Sequence, residues 1–199
     1  MPISDCEVRD PRIRRTRQML QASLLKLLET KSFDEISVHD ITDAATVNRA
    51  TFYDHYTDKF ALLEAMVAGR FHHVLEQRSV RYDGSCASAA APVILATCHF
   101  LCEFHGNGAS CQRQTAFEPL IEAAVTNAIR RILVAGISAT KPESGSSPAM
   151  IATAASWAIY GSVKEWFNTP GRRPAEEIAP VILSLIIPIL QKAEPGLIA

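Results

Sequence analysis

The sequence predicts an all-α fold of about nine helices. Three observations support this: apolar residues recur at helical spacing in successive segments, capping residues and Gly or Pro breaks separate those segments, and no run alternates at the strand period. A small N-terminal helical domain, residues 1–62, is expected to precede a larger C-terminal helical body, residues 63–199.

Composition narrows the function classes. With 199 residues, 48% of them apolar, the chain can bury a sizeable core. A formal net charge of −1 gives no global attraction to polyanions, so any nucleic-acid binding must come from a local basic surface. Arg9, Arg12, Arg14, Arg15 and Arg17 crowd the start of the chain against Asp5, Glu7 and Asp10, and no apolar run there resembles the central region of a signal peptide. The longest apolar stretch, Val181 to Leu190, is about half what a membrane crossing needs and is interrupted by Ser184 and Pro188. The expectation is a soluble, cytoplasmic protein without a membrane partner. Five cysteines, Cys6, Cys86, Cys98, Cys102 and Cys111, form no CxxC pair, which argues against a disulfide framework and a zinc ribbon.

The first helix is predicted from Pro11 to Glu29, where Ile13, Leu20, Leu24, Leu27 and Leu28 make an amphipathic pattern. Ser37 and Asp40 are spaced as a capping box and open a short helix carrying Val38, Ile41, Ala44 and Ala45. Thr46-Val47-Asn48 breaks it, and Asn48 is a suitable N-cap for a third helix, Arg49 to Tyr56. Thr57 or Asp58 caps a fourth helix, carrying Phe60, Leu63, Val67, Phe71, Val74 and Leu75, with the domain boundary near Leu62 to Met66. Later helices are predicted at Pro92–His105, stopped by Gly106-Asn107-Gly108, at Glu118–Ala139, and at Pro148–Phe167 after a polar loop. A last helix covers about Ala175–Gln191, where Pro188 should kink or shorten it. In Pro148–Phe167, Ala154, Ala158 and Gly161 form one stripe and Ile159, Val163 and Trp166 another, so one side permits close helix approach. The last helix is apolar nearly all round, as if covered both by its own core and by a partner chain.

Two short helices joined by a tight turn behind a longer one form the skeleton of a DNA-reading helix-turn-helix, here Ser37 to Lys59. Phe52 and Tyr56, four apart, should anchor the third helix, leaving Asn48, Arg49, Thr51, Tyr53 and His55 to supply donors and acceptors for phosphates and groove edges. Lys59 opposes the dipole of the helix it opens, which a nearby phosphate would explain. The arginines at 9 to 17 could act as a backbone- or groove-binding arm.

The run ISVHDITDAATVNRATFYDHYTDKFALLEAM resembles the DNA-binding domain of the tetracycline repressor (TetR) family, over about Arg14 to Met66. Ala50-Thr51-Phe52-Tyr53, His55, Tyr56, Lys59 and Leu62-Leu63 fall in register on the family pattern aTFYrHFpsKeeLl. The resemblance implies base-edge contacts at His39 and Arg49 and phosphate contacts at Thr51, Tyr53, His55 and Lys59. With the caps, the expected DNA-binding set is Ser37, His39, Asn48, Arg49, Thr51, Tyr53, His55 and Lys59. Thr46 departs from the family's usual turn glycine, and Asp54 from a position that is often basic. The implied function is a transcriptional repressor that binds a palindromic operator in double-stranded DNA as a homodimer and is released by a small-molecule effector. Helices 148–167 and 175–191 resemble the family's dimerisation pair.

For the effector, Phe71, His72, Phe100, Phe104, Phe117, Trp157 and Tyr160 offer apolar walls with a few polar tips, suited to an aromatic or lipophilic molecule. An alternative is a metal- or redox-sensing regulator using Cys98, Cys102 and His105, spaced i, i+4, i+7, with His99 and Cys111 nearby. No resident metal or cofactor is assigned. Enzymatic activity is not expected, because pairs such as Cys98 with His99 lack an orienting group or oxyanion loop.

Overall fold

A computed structural model describes residues 10–105, 118–140 and 147–191. These form eight α-helices: α1 (Pro11–Leu28), α2 (Val38–Ala45), α3 (Arg49–His55), α4 (Lys59–Gln77), α5 (Ala91–His105), α6 (Glu118–Thr140), α7 (Pro148–Asn168) and α8 (Ala175–Leu190). Two 3₁₀ turns, Phe33–Glu35 and Ala87–Ala90, precede α2 and α5, and no strand occurs among the described residues. The Gly106-Asn107-Gly108 break and Phe117 lie outside the described residues.

The described residues separate into two compact units, one of residues 10–70 with 118–124 and one of residues 71–105 with 125–140 and 147–191. The divisions fall inside α4 and α6, so each of these helices contributes to both units.

In the first unit, local chemistry sets the helix ends. Asp10 accepts from the Arg12 amide at 2.8 Å and Pro11 occupies the first turn of α1, where a missing N–H costs nothing. Asn48 accepts from the Ala50 amide at 3.0 Å to start α3, and Asp58 accepts from the Ala61 amide at 2.8 Å at the start of α4. Leu20 and Leu24 of α1, Ile41 of α2, Phe52 of α3 and Leu62 and Leu63 of α4 are fully buried and form the core of this unit. Helices α2 and α3 each contribute only one such side chain, so neither is amphipathic enough to persist alone.

The α2–α3 connection shows how a β-branched residue takes the place of glycine. Thr46 sits in the left-handed region, with φ 56° and ψ 41°. Its amide donates to the Asp43 carbonyl at 3.0 Å, and the Val47 amide to the Thr42 carbonyl at 3.0 Å, the paired closing bonds of a Schellman motif. The turn geometry is therefore the one a glycine would adopt, held against the steric preference of threonine.

The second unit is built on α5, α7 and α8, which pack on one another. Buried Ile94 and Phe100 of α5, Ile151, Ile159 and Val163 of α7, and Ile182, Ile186 and Leu190 of α8 fill its interior. Ser147 caps α7 by accepting from the Met150 amide at 3.2 Å, with Pro148 in the first turn. Gly136 of α6 is required by packing, since a Cβ there would lie 2.4 Å from the Tyr82 carbonyl oxygen. Helix α8 contains Pro180 and Pro188 and continues two residues past the latter to Leu190. The expected interruption at Pro188 does not stop the helix, which forgoes one N–H donor there and runs on to Leu190.

Thr46→Gly should relieve the left-handed strain and stabilise the protein by about 1 kcal/mol, less whatever entropy glycine adds to the unfolded chain. A denaturant midpoint unchanged or lowered relative to wild type would count against that turn geometry.

Candidate nucleic-acid interface

Helix α3 owes its placement to two aromatic anchors. Phe52 is fully buried and Tyr56 nearly so, their ring centroids 6.0 Å apart. Arg17 of α1 is buried, with its guanidinium 4.9 Å from the Tyr56 ring centroid, and the Gln21 amide nitrogen donates to the Tyr56 hydroxyl at 3.0 Å. Arg17, expected in a DNA-binding arm, is therefore spent inside the domain. Arg12, Arg14 and Arg15 remain exposed on the first turn of α1, and Arg9 lies outside the described residues. The signal for Arg17 and Gln21 was their i, i+4 spacing beside Leu20 and Leu24, which puts both on the flank of the buried stripe.

With Phe52 and Tyr56 inward, α3 exposes Asn48, Arg49 and Tyr53, and leaves Thr51 and His55 half-buried. Tyr53 is 47% exposed, and its hydroxyl accepts from Arg49 Nη2 at 3.2 Å while the guanidinium lies 5.6 Å from its ring. The pair holds a cation and a hydroxyl in one outward-facing group. Partial burial, with Arg17 nearby, pushes the His55 pKa down, so its imidazole favours the neutral form. Asp54 is exposed on the same short helix.

Helix α2 is closed at its start by reciprocal hydrogen bonds. The Asp40 amide donates to Ser37 Oγ at 3.1 Å, and the Ser37 amide donates to Asp40 Oδ2 at 2.8 Å. The Ser37 hydroxyl also bonds the Asp40 carboxylate, and Lys31 Nζ lies 3.0 Å from Oδ1. These contacts, the Ser37 bonds first and Lys31 after, hold the Asp40 carboxyl far below the usual carboxylate range. A second capping box, Ser32 with Glu35, sits one turn earlier. Ser37 thus has a clear task within the fold, and His39 is exposed on the first turn of α2.

Lys59 takes a different position from the one its helix dipole suggested. Its ammonium donates to the carbonyls of Phe33, Asp34 and Ile36 at 2.9, 3.2 and 2.8 Å, and lies 4.7 Å from the Phe33 ring centroid and 5.7 Å from that of Phe60.

Residues 22–66, which contain α2, the turn, α3 and the start of α4, match the family described as bacterial regulatory proteins, tetR family. YxbF of Bacillus subtilis, an uncharacterized HTH-type transcriptional regulator, is 36% identical over 72 residues, covering 36% of this chain and 19% of that protein. The HTH-type transcriptional regulator EthR of Mycolicibacterium smegmatis is 36% identical over 69 residues, covering 31% of this chain and 32% of that protein. The chain thus spans about a fifth and about a third of these two curated relatives. A TetR transcriptional regulator from Streptococcus agalactiae shares the fold at TM-score 0.55 and 20% identity, over 92% of this chain and 99% of that one.

Beyond the matched residues, the expected ligand residues divide. Phe71 and Phe100 are buried with ring centroids 5.2 Å apart, and Phe104 stacks on Phe100 at 5.3 Å, so these three form one aromatic cluster in the second unit. His72 is paired with Glu76 on its own helix at 3.1 Å. Tyr160 is buried within α7, and Lys164 Nζ lies 5.8 Å from its ring.

Trp157 is half exposed, on a stripe of α7 with Met150, Ala154 and Gly161. Met150 is 66% exposed, Leu185 of α8 62% and Val181 43%. On both helices this outward apolar stripe lies opposite the one that fills the core. The i, i+4, i+7, i+11 spacing of Met150, Ala154, Trp157 and Gly161 was the available signal for it.

Cys98 is buried, and the lack of solvation pushes its thiol up to about 12, with Cys102 adding to the shift. At that value almost no thiolate forms near neutral pH. Arg172 Nη2 lies 3.9 Å from Cys102 Sγ, and His99 Nε2 lies 3.3 Å from Glu176 Oε1. Among the described residues no three His, Cys, Asp or Glu side chains are grouped to hold a metal ion.

The Asp40 carboxylate stabilises the fold above its unfolded pKa of about 4 and loses that contribution as pH falls toward its depressed folded value. Ser37→Ala should therefore lower the melting temperature at neutral pH, and the gap to wild type should shrink in acid; a gap that is constant with pH would refute the role given to the Ser37–Asp40 box.

Proposed function

We propose that the protein is a transcriptional repressor that binds a palindromic operator as a homodimer and is released by a small-molecule effector held in its second unit. The single observation that carries the reading is the outward face of α3. Two buried rings leave Asn48, Arg49 and Tyr53 exposed side by side on a helix short enough to enter a major groove. Arg49, with a fork of donors matched to guanine edges, and His39 of α2 are the proposed readers. Tyr53, Thr51 and His55 supply phosphate contacts, and a neutral imidazole retains an N–H for that purpose. Such a protein acts in the compartment that holds the DNA, the cytoplasm of a bacterium.

The outward apolar stripes of α7 and α8 support dimerisation. A monomer rarely exposes so many large apolar side chains on two adjacent helices, and two-fold pairing there would cover them. Dimerisation also brings two reading heads into register with half-sites about 34 Å apart. For the effector, the Phe71–Phe100–Phe104 cluster supports a site for an aromatic or lipophilic molecule. Helix α4 carries Phe71 in one unit and begins beside the reading helix in the other, so it is the element through which occupancy would shift the population of DNA-competent dimers.

Selection from random DNA should return a palindrome, and recovery of no enriched sequence would overturn the reading. On the selected site, Arg49→Ala should cost about 1–3 kcal/mol and relax the preference at one base pair in each half-site, whereas Tyr53→Ala should weaken all sequences alike. Trp157→Asp combined with Leu185→Glu should give a folded monomer by light scattering with little operator affinity; a dimer that persists would place the interface elsewhere.

A further inference from the structure

The ammonium of Lys59 is where the geometry departs furthest from a DNA clamp. A lysine has three N–H donors, and here each has a backbone carbonyl within 3.2 Å, on Phe33, Asp34 and Ile36. The faces of Phe33 and Phe60 lie within cation–π range, and the two rings pack edge to face at 5.3 Å, closing the sides of the cage. An amine in this position has no donor left for a phosphate. The carbonyls it binds end a 3₁₀ turn, and the one from Ile36 belongs to the residue just before Ser37, which caps α2. Lys59 is itself the first residue of α4, directly after α3 and its exit turn. Residues 37–58, the whole of α2, the turn and α3, therefore lie between the two ends that this one side chain joins.

We infer that Lys59 is a positioning residue, a clasp that closes the helix-turn-helix on itself and sets the entry of α2, and that it makes no contact with the DNA backbone. The inference rests on the DNA-binding reading above for its effect on affinity, but the clasp is a property of the free protein. It also accounts for a cation in the first turn of α4, where the helix dipole disfavours one: the carbonyls of the preceding turn supply the negative partner. Arginine cannot replace it. A planar guanidinium directs its donors in a flat fork, whereas three converging carbonyls between two rings suit a compact ammonium.

The test compares full-length Lys59→Met and Lys59→Arg with wild type on the selected operator, well below the melting midpoint and across a salt series. The clasp predicts about tenfold weaker binding for both variants, with the slope of log Kd against log salt unchanged. It also predicts faster amide exchange at Ile36 to Val38 in the DNA-free protein. A phosphate contact predicts instead that Lys59→Met flattens the slope by about one while Lys59→Arg binds as wild type, and either result overturns the inference. Unchanged affinity in both variants, or unchanged exchange, overturns it as well. Should Lys59→Met fail to fold, Lys59→Arg carries the comparison. A wild-type chain that bound no DNA would sink the proposed function while the exchange experiment still judged the clasp.

Discussion

Seven residues cannot hold a helix in water, and α3 has only seven. Its existence therefore depends on the burial of Phe52 and Tyr56, and the direction in which its other side chains point depends on it too. Phe52 enters the core formed by Leu20, Leu24, Ile41, Leu62 and Leu63, while Tyr56 is held at its ring by Arg17 and at its hydroxyl by Gln21. One anchor fixes depth and the other fixes rotation about the helix axis. Exposure of Arg49 and Tyr53 on the same helix follows, since residues flanking a buried i, i+4 pair must face outward.

Around that anchor the backbone polar groups are satisfied locally. Ser32 with Glu35 and Ser37 with Asp40 each close a helical start, and Lys59 gathers the carbonyls between them. Lys31 pairs with Asp40, Arg17 lies against the Tyr56 ring and Lys59 binds carbonyls, so these three cations serve the fold, while Arg49 and Arg12, Arg14 and Arg15 of α1 are exposed.

The second unit uses its helices on two faces. Helix α7 buries Ile151, Ile159 and Val163 and exposes Met150 and Trp157, and α8 buries Ile182 and Ile186 while exposing Val181 and Leu185. The stretch Ala87–Phe104, which leads into and forms most of α5, is apolar and long enough to cross a membrane by length and composition, and half of it is buried inside the protein. Apolar character alone does not distinguish a core face, an interface and a membrane span; the partner across each face does.

The sequence by itself determined the helical class, most helix starts and the inward face of each short helix, because capping and periodicity act over three to five residues. Ser37 with Asp40, Asn48, and Phe52 with Tyr56 could all be read that way, and the resemblance over Arg14 to Met66 added the expectation of a DNA-reading helix there. Tertiary structure alone decided what each long polar or aromatic side chain meets. Lys59 reaches carbonyls more than twenty residues away, Arg17 turns under Tyr56, and Trp157 faces outward, away from the core of its own unit. The physical reason is reach: a lysine, arginine or tryptophan can lie along either side of its own helix, and only the neighbouring elements determine which side offers the acceptor, the ring or the open face.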